Sequence, residues 1–462
     1  MQRLMSAGSG VYCGPLRLLA WEVYDKMCKK GVPCNLRTGQ ESQVVEDARH
    51  TSSTVEMVST STIYDVAVID EGQLLASSDR GWAWTRALLG VAAYEIHVCG
   101  DPSMVEVIEE LAAITGEEVE VREYERLTPL KVSPPLANGL RDIRKGDCIV
   151  AFSQKMLYRL KHDIEHQLGL KCCIIYGSLP PETRRDQAEK FNDPNSGYDV
   201  LVSTDAIGMG LNLNIQRIIF ARMDKFDGFI TRPLTVSETL QIAGRAGRFG
   251  TNNKSTASDG SAITTMAEAA ESNCGYVTTL HPDDHAYLQW ALVQKLQPFE
   301  RAGLAPTQEQ LETLHALRPK ERLSNLVTYF AQYAQLDQLY FNVDMEGFKQ
   351  IADLIDHIPF NSISIRYDFC RAPARPDGGP ITGAIVRFAE LFAAQQPVFL
   401  KSYQVPAVEI PKTAIGMSAL EALYQITELY VWLGLRFGED AFPDLYKAMD
   451  LLSKSVHESR MQ

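Results

Sequence analysis

The sequence predicts an α/β fold with two tandem parallel-sheet domains, followed by a mainly helical C-terminal domain. In the first two-thirds of the 462 residues, short apolar runs alternate with amphipathic stretches, the pattern of successive β-α-β units. From His281 onward, long amphipathic helical patterns dominate instead. The predicted domains are residues 1–126, residues 127–280 with a polar insertion at 251–273, and residues 281–462.

Hydrophobic periodicity and turn residues then assign the elements of each domain. The strands predicted in the first domain are Ser9–Gly14, Tyr64–Asp70, Glu95–Gly100 and Val119–Tyr124, and its helices are Leu16–Lys30, Gly81–Ala93 and Pro102–Thr115. The strands predicted in the second domain are Asp147–Phe152, Cys172–Tyr176, Val200–Thr204 and Ile218–Ala221, and its helices are Gln154–Leu168 and Pro181–Asn192. The helices predicted in the third are Leu288–Leu296, Thr307–Ala316, Leu323–Tyr333, Met345–Asp356 and Ser418–Leu433, with a loop at Ala372–Gly383.

Composition excludes several classes of protein. No apolar run is long enough to span a bilayer, so no membrane span is predicted. Nine cysteines without a C-x-x-C pair indicate reduced thiols in an intracellular compartment. The net charge of −13 argues against a basic surface for duplex nucleic acid. It still allows a channel with local positive charge.

The segment from Gln241 to Arg248 reads QxxGRxGR and is the most informative motif. Because Ser237–Leu240 has helical character, we predict that Gln241, Arg245 and Arg248 share one helix face. Arginine suits this position because its planar, permanently charged fork can grip phosphate oxygens during phosphoryl transfer. The alternative is a solvated basic helix.

An apolar strand ends in two acids, Asp70 and Glu71. Ligands bind at the carboxyl edge of a parallel sheet, and an aspartate there can hold Mg²⁺ through water. The adjacent glutamate can polarise the water that attacks a γ-phosphate. A polar strand end without function fits two acids equally well, but Gly72 and Gln73 complete the motif DEGQ and favour the catalytic interpretation.

Three further strand ends carry residues suited to phosphate. Pro15 stands at the first turn of a predicted helix, Ser153 opens the second domain, and Thr204 precedes Gly208 and Gly210. An ordinary strand–helix junction is the alternative for the first of these. A zinc site at His162, His166, Cys172 and Cys173 is rejected, because neither H-E-x-x-H nor C-x-x-C accompanies them.

In chain order, the motifs GPLRLLA, TVEM, DEGQ, HVCGD, VSTDAIGMGLN and QIAGRAGRFG resemble those of superfamily-two helicases, which have two RecA-like domains. The segments SGVYCGPL, RGWAWTRALLG, YDFCRAP and LYVWLGLRF narrow the resemblance. They are similar to those of the mitochondrial degradosome RNA helicases of the Suv-three type. The resemblance covers nearly the whole chain.

This resemblance implies an ATP-dependent RNA helicase of the mitochondrial matrix, which uses Mg-ATP to unwind RNA for degradation and surveillance, beside an exoribonuclease. It implies both single-stranded and duplex RNA as substrates. Asp70 and Glu71 would serve Mg²⁺ and the attacking water. The nucleotide would contact, across the interdomain cleft, Gly208, Gly210, Gln241, Arg245 and Arg248. The RNA backbone would contact Pro15, Arg17, Thr54, Ser153 and Thr204.

Two departures from the family pattern stand out. Gly72 replaces an apolar residue, most often isoleucine, and we expect it to loosen packing at the strand end. No G-x-x-x-x-G-K-[ST] phosphate loop occurs, and the resemblance places that loop just upstream of Met1–Gly10. We therefore expect a fragment or shortened gene product whose first RecA-like domain is incomplete. It would lack the phosphate-loop strand, leave a gap beside the DE strand and fold poorly alone.

Two other functions remain open at this stage. One is an ATPase-inactive RNA-binding or scaffold subunit, for which the missing phosphate loop argues. The other is a DNA helicase of the same superfamily.

Overall fold

The computed structural model describes residues 1–126, 128–208, 210–227, 230–247, 274–374, 378–403 and 414–458, without the side chains of 414–420 and 453–458. Two units are formed, one from Met1–Glu120 together with Pro298–Gln462, the other from Val121–Gln297. The predicted domain boundaries stay a prediction, because compact units and sequence domains need not coincide. No helix among the described residues is both long and apolar enough to cross a membrane.

The first unit contains a six-stranded sheet in the order β3-β2-β4-β1-β5-β6. Only the β2–β3 pair is antiparallel. The strands are β1 (Gly10–Gly14), β2 (Cys34–Arg37), β3 (Ser42–Gln43), β4 (His50–Thr54), β5 (Ile63–Ile69) and β6 (Ala92–Val98). The helices between them are α1 (Gln2–Ser6), α2 (Arg17–Lys29), α3 (Gly81–Gly90) and α4 (Val105–Thr115).

Strand β1 lies at the centre of this sheet, and all five of its residues are buried. Successive side chains of a strand point to opposite faces. Val11 and Cys13 therefore join the core under α3 and α4, whereas Tyr12 joins the core on the α1 and α2 side. Burial on both faces explains why the strand reads as a continuous apolar run.

Two expectations for this unit are wrong. No gap lies beside the DE strand, because β5 pairs with β1 on one side and with β6 on the other. The segment Val119–Tyr124 forms no strand. Valines alternate with charged residues in this segment, as they would in a half-buried strand. Val121 and Tyr124 are nevertheless exposed, so no apolar face is buried against a neighbour.

The second unit contains an all-parallel sheet in the order β7-β14-β11-β8-β10-β9. The strands are β7 (Leu130–Val132), β8 (Asp147–Val150), β9 (Cys172–Ile175), β10 (Val200–Ser203), β11 (Arg217–Phe220) and β14 (Gly275–Thr279), with a separate hairpin of β12 (Asp224–Phe226) and β13 (Thr231–Pro233). The helices are α5 (Gln154–Leu168), α6 (Pro181–Asn192), α7 (Val236–Ala243) and α8 (His285–Val293). The predictions for β8 to β11, α5 and α6 are confirmed.

Beyond residue 298 the chain returns to the first unit, with a short parallel pair followed by helices. The pair is β15 (Ala302–Leu304) and β16 (Tyr340–Asn342). The helices are α9 (Gln308–Leu317), α10 (Leu323–Tyr333), α11 (Glu346–Leu354), α12 (Ile363–Cys370), α13 (Pro380–Ala393), α14 (Ala414–Phe437) and α15 (Leu445–Glu458). The predicted loop at Ala372–Gly383 is too long by four residues, because Pro380 starts α13, a position that proline tolerates.

The C-terminal segment packs directly on the first sheet domain. The hydroxyl of Thr85 on α3 donates a hydrogen bond to the carbonyl of Gly303, at 2.7 Å. Close approach needs glycine on both sides, since a Cβ on Gly303 would lie 3.0 Å from the Cα of Gly81. Behind this contact, aromatic side chains fill the helical core, among them Phe369, Phe388 and Phe442.

Helix α7 begins with a capping box in which Thr235 and Glu238 satisfy each other's backbone amides. Glu238 also forms salt bridges with Lys225 at 2.6 Å and Arg232 at 3.0 Å. Burial alone raises the pKa of Glu238, but the hydrogen bonds from Arg232 and Lys225 outweigh burial and lower this pKa from 4.5 to about 2. The ionised carboxylate is therefore stabilised in the folded state.

A folded-state pKa below the unfolded value stabilises the protein above the unfolded pKa, and this stabilisation is lost as pH falls. We predict that wild-type protein loses more unfolding free energy than Glu238→Gln between pH 4.5 and about 2. Urea unfolding at a series of pH values measures the difference. Glu189→Gln, which alters an exposed ion pair, is the control and should follow the wild-type curve.

Candidate active site

Asp70 directly follows β5, where four hydrogen bonds fix it. Its backbone amide donates to the carbonyl of Cys13 at 3.0 Å, and its own carbonyl accepts from Trp84 Nε1 at 2.9 Å. One carboxylate oxygen accepts from the Tyr12 hydroxyl at 2.6 Å, and the other from the amide of Glu71 at 3.1 Å. The side chain therefore has one defined orientation at the carboxyl edge of the sheet.

Tyr12 is the residue of this site that the sequence did not indicate. It is only 4% exposed, and burial together with the charge of Asp70 raises the pKa of its hydroxyl, so the hydroxyl stays protonated and donates. Its ring occupies the space above Gly14, where an added Cβ would lie 2.8 Å from Tyr12 Cε1. In the sequence, Tyr12 is one apolar strand residue among others, since only the β1–β5 pairing brings it to Asp70.

Glu71 adopts the left-handed backbone conformation, with φ 54° and ψ 50°. A residue other than glycine in this region costs about 1–3 kcal/mol, and such residues concentrate at functional sites. The neighbouring Gln73 holds the side chain, because its Nε2 donates to a Glu71 carboxylate oxygen at 2.5 Å. The turn thus carries Glu71 off the line of β5 while keeping it beside Asp70.

The HVCGD loop after β6 closes over the DEGQ turn. The amide of Gly72 donates to the carbonyl of Cys99 at 2.8 Å, and the amide of Asp101 donates to Gln73 Oε1 at 3.4 Å. Gly100 leaves no room for a side chain, since a Cβ there would meet Gln73 Oε1 and would lie 3.0 Å from the amide nitrogen of Gly72. The two motifs are therefore mechanically connected through Gln73.

The carboxylate oxygens of Asp70 fit a magnesium ion held through water. Each carboxylate oxygen has two lone pairs, and the hydrogen bonds from Tyr12 and Glu71 use one on each oxygen. Mg²⁺ keeps several waters and binds through one or two carboxylates together with substrate phosphates. Within the described residues, no group of three or more His, Cys, Asp or Glu is arranged to hold a metal.

The predicted RNA-binding residues of the first unit lie along the same edge. Gly14 and Thr54 are partners in the β1–β4 register, so Thr54 lies beside the turn that carries Pro15. The carbonyl of Pro15 accepts from Arg80 Nη2 at 2.7 Å. Arg17, in the first turn of α2, forms a salt bridge at 2.9 Å with Glu428 on α14.

In the second unit, Ser153 and Thr204 follow the adjacent parallel strands β8 and β10. The hydroxyl of Ser153 caps α5 by accepting from the amide of Met156 at 3.2 Å. The hydroxyl of Thr204 accepts from the amide of Ala206, also at 3.2 Å. These two residues thus occupy the carboxyl edge of the second sheet.

The helix-face prediction for the arginine motif is wrong. Helix α7 ends at Ala243, and Gly244 begins a turn in which Gly247 has φ +62°. Gln241 is therefore helical, whereas Arg245 lies in the turn. Arg248 is outside the described residues. Gly247, the glycine between the two arginines, has a left-handed backbone conformation that a helix interior excludes, so the motif does not continue as a helix.

Arg245 is only 9% exposed and is fixed by the loop after β10. Its guanidinium donates to the carbonyl of Gly208 and, at 3.5 Å, to that of Leu211. Gln241 packs over Gly208, with Oε1 3.5 Å from an added Cβ, and Gly210 turns the loop with φ +79°. Four predicted nucleotide residues therefore lie together in the second unit.

Comparison with known proteins gives the family. The DEXQ-box helicase domain of Suv3 matches residues 1–124, the helicase conserved C-terminal domain matches 135–250, and the ATP-dependent RNA helicase SUV3 C-terminal domain matches 417–455. The mitochondrial DExH-box ATP-dependent RNA helicase DExH16 of Arabidopsis thaliana is 42% identical, over 96% of this chain and 74% of the relative. The chain belongs to the Suv3 family of RNA helicases.

Two animal relatives are similar over almost the whole chain. The mitochondrial ATP-dependent RNA helicase SUPV3L1 of Mus musculus is 43% identical over 99% of this chain, and that of Homo sapiens is 43% identical over 98%. The chain spans 58% and 56% of their lengths, respectively. The two tandem RecA-like domains and the helical C-terminal domain expected from the sequence agree with this membership.

The expectation that Gly72 loosens the packing at the end of β5 is wrong. Gly72 is buried, and the space above it is already filled: an added Cβ would lie 2.6 Å from both Met104 Sδ and Val98 Cγ1. Neighbouring side chains therefore take the volume that the usual isoleucine would occupy, and the packing stays close.

We predict that Gly72→Ala destabilises the protein by about 1–3 kcal/mol, the usual cost of overpacking. Chemical denaturation measures it. The matched control is Gly347→Ala, whose Cβ would meet nothing within 4 Å near the start of α11. The control should be neutral or stabilising by up to about 1 kcal/mol. Equal effects of the two substitutions would contradict the packing described around Gly72.

Proposed function

We propose that the chain acts as an ATP-dependent RNA helicase that couples Mg-ATP hydrolysis to RNA unwinding in mitochondrial RNA degradation and surveillance. The observation that supports it most is the fixed acid pair, Asp70 and Glu71, on a sheet edge shared with Pro15 and Thr54. Relatives named as mitochondrial ATP-dependent RNA helicases support the nucleotide, the polymer and the mitochondrial location. An exoribonuclease partner in a degradosome belongs to the same proposal.

The acid pair divides the chemistry between two carboxylates. Bound Mg²⁺ would neutralise charge on the nucleotide phosphates. Asp70, oriented by Tyr12, would hold the ion's water shell. Glu71, turned out of line with the strand and held by Gln73, would accept a proton from the attacking water. General-base catalysis of this kind contributes about 10²–10⁴-fold to a rate.

Residues of the second unit would act on the nucleotide and on the second stretch of RNA backbone. Arg248 and Gln241 are proposed to contact the nucleotide phosphates. The buried hydrogen bonds of Arg245 support a further role, which is to hold Gly208 and Leu211 in place for nucleotide. Ser153 and Thr204 are proposed to contact single-stranded RNA, as Pro15, Arg17 and Thr54 are in the first unit.

A second candidate concerns these 462 residues taken by themselves. The sequence contains no G-x-x-x-x-G-K-[ST] pattern, the loop whose amides and lysine cradle nucleotide phosphates. This observation favours an RNA-binding or scaffold protein that does not hydrolyse ATP. The two candidates differ in nucleotide binding, which calorimetry with Mg-ATP measures directly on the 462-residue protein.

We predict that Glu71→Gln lowers RNA-stimulated ATP hydrolysis by about 10²–10⁴-fold with little change in RNA affinity, because it removes only the proton acceptor. Phosphate release should be measured on the longest natural protein that contains these 462 residues. The control is Glu46→Gln, an exposed carboxylate away from the site, which should keep wild-type activity.

Two results would count against the proposal. Wild-type protein without RNA-stimulated hydrolysis would remove the helicase assignment and leave the RNA-binding candidate. A Glu71→Gln protein with wild-type turnover would remove Glu71 from the chemistry.

A further inference from the structure

Helix α14 lies along the carboxyl edge of the first sheet, beside the predicted RNA-binding residues. It presents side chains four residues apart, at 428, 432 and 436, to that edge. Glu428 forms a salt bridge with Arg17. Trp432 packs against Gly39, with Nε1 3.5 Å from where a Cβ on Gly39 would lie. Arg436 Nη2 donates a hydrogen bond to Met57 Sδ at 3.9 Å.

Four arginines from distant parts of the chain surround the end of this contact. We call them the arginine cluster; its members are Arg37, Arg86, Arg371 and Arg436. Arg86 lies on α3 and donates to the carbonyls of Glu56 at 3.3 Å and Val58 at 3.2 Å. These two carbonyls flank Met57, the residue that Arg436 contacts, so the short turn after Thr54 lies between Arg86 and Arg436.

Aromatic rings support two members of the arginine cluster. The guanidinium carbon of Arg371 lies 5.4 Å from the ring centre of Trp82 and 5.8 Å from that of Tyr367. The guanidinium of Arg436 lies 3.3 Å above the ring of Trp432. Cation–π contacts orient a guanidinium but do not neutralise its charge, so these arginines remain able to attract an anion.

The members repel one another. Burial lowers the pKa of Arg86, and the charges of Arg371 and Arg37 lower it further. Burial likewise lowers the pKa of Arg436 to about 10, followed by the charge of Arg371. Like charges held together in this way destabilise the protein unless an anion compensates them.

Among the described residues, no carboxylate forms a salt bridge with a member of the arginine cluster. The nearby Glu56 is bound by Arg80 at 2.6 Å. Asp368 attracts Arg436 and Arg371, so one carboxylate faces the four arginines without forming a salt bridge to any of them among the described residues.

Space for a ligand adjoins the arginine cluster. A cavity of about 550 Å³ is lined by Arg37, Met57 and Val58, together with Thr51 and Ser53. Its volume lies within the range of about 300–1,000 Å³ that ligand pockets occupy. The members Arg37 and Arg371 are exposed and therefore accessible.

We infer that the arginine cluster binds the phosphate backbone of single-stranded RNA at the junction between the first sheet and the C-terminal helices. The inference rests on the proposed function and adds a site to it. An RNA strand carries several phosphates and can therefore contact four cations on different elements, which a single phosphate ion does less well. The arginine cluster also adjoins the turn after Thr54, a residue already predicted to bind RNA. Nothing in the sequence motifs assigned these four residues to RNA.

The test is RNA binding without nucleotide, which separates it from ATP hydrolysis. Fluorescence anisotropy with a labelled oligo-uridine of about 20 nucleotides is measured between roughly 50 and 300 mM salt. The double variant Arg37→Gln/Arg371→Gln should bind roughly tenfold more weakly near 0.1 M salt. Its slope of log affinity against log salt should fall by about 0.7 for each phosphate that the variant no longer neutralises.

Two further variants make the result specific. Arg318→Gln is the matched control, because Arg318 is also an exposed arginine over an aromatic ring, 4.7 Å from the ring centre of Tyr329. It should bind like wild type. The charge-conserving Arg37→Lys/Arg371→Lys keeps the point charges and should retain most of the salt slope. Thermal melting checks that every variant is folded.

Several outcomes would overturn the inference. Binding by the glutamine double variant within twofold of wild type would do so while leaving the helicase proposal intact. Equally weakened binding by Arg318→Gln, or weaker binding without a change in salt slope, would show that the cluster makes no specific phosphate contact. Wild-type protein that binds no RNA would overturn both the inference and the proposed function.

Discussion

The parallel register of β4, β1 and β5 is the constraint on which the rest of the first unit depends. It brings three strand ends to one edge and aligns Cys13 with Ile69, so that Asp70 follows directly. The hydrogen bond from Tyr12 to Asp70 crosses the same strand pair. Without this register, the acid pair, the turn after Thr54 and the arginine cluster would not share a surface. The two pairings of β1, with β4 and with β5, therefore set both the chemical and the binding geometry.

The C-terminal segment extends that edge. Its β15 strand packs on α3, and its long helix α14 lies beside α2 and the turn after Thr54, so residues far apart in the chain, such as Arg17 and Glu428, meet there. The salt bridge between Glu428 and Arg17 is half-buried and links two elements that both face the proposed RNA path. Helix α14 is therefore in direct contact with the edge that is proposed to bind RNA.

Sequence patterns correctly predicted the elements with strong local signals, such as the helices α5, α6 and α10. They also identified the motifs in their order along the chain. They failed where the outcome depended on pairing across the chain. The role of Tyr12 needs the β1–β5 register, the burial of Gly72 needs Met104 and Val98, and the turn at Arg245 needs the loop that accepts its hydrogen bonds. Periodicity over a few residues contains none of this information.

Strand separation tests the central claim, that this sheet edge belongs to an RNA helicase, most directly. Wild-type protein and Asp70→Asn are compared on an RNA duplex with a single-stranded tail, in Mg-ATP, using the longest natural protein that contains these residues. The account predicts that wild type separates the strands, and that Asp70→Asn binds the same RNA without separating it. Unwinding at the wild-type rate by Asp70→Asn, or no ATP-dependent unwinding by wild type, would contradict it.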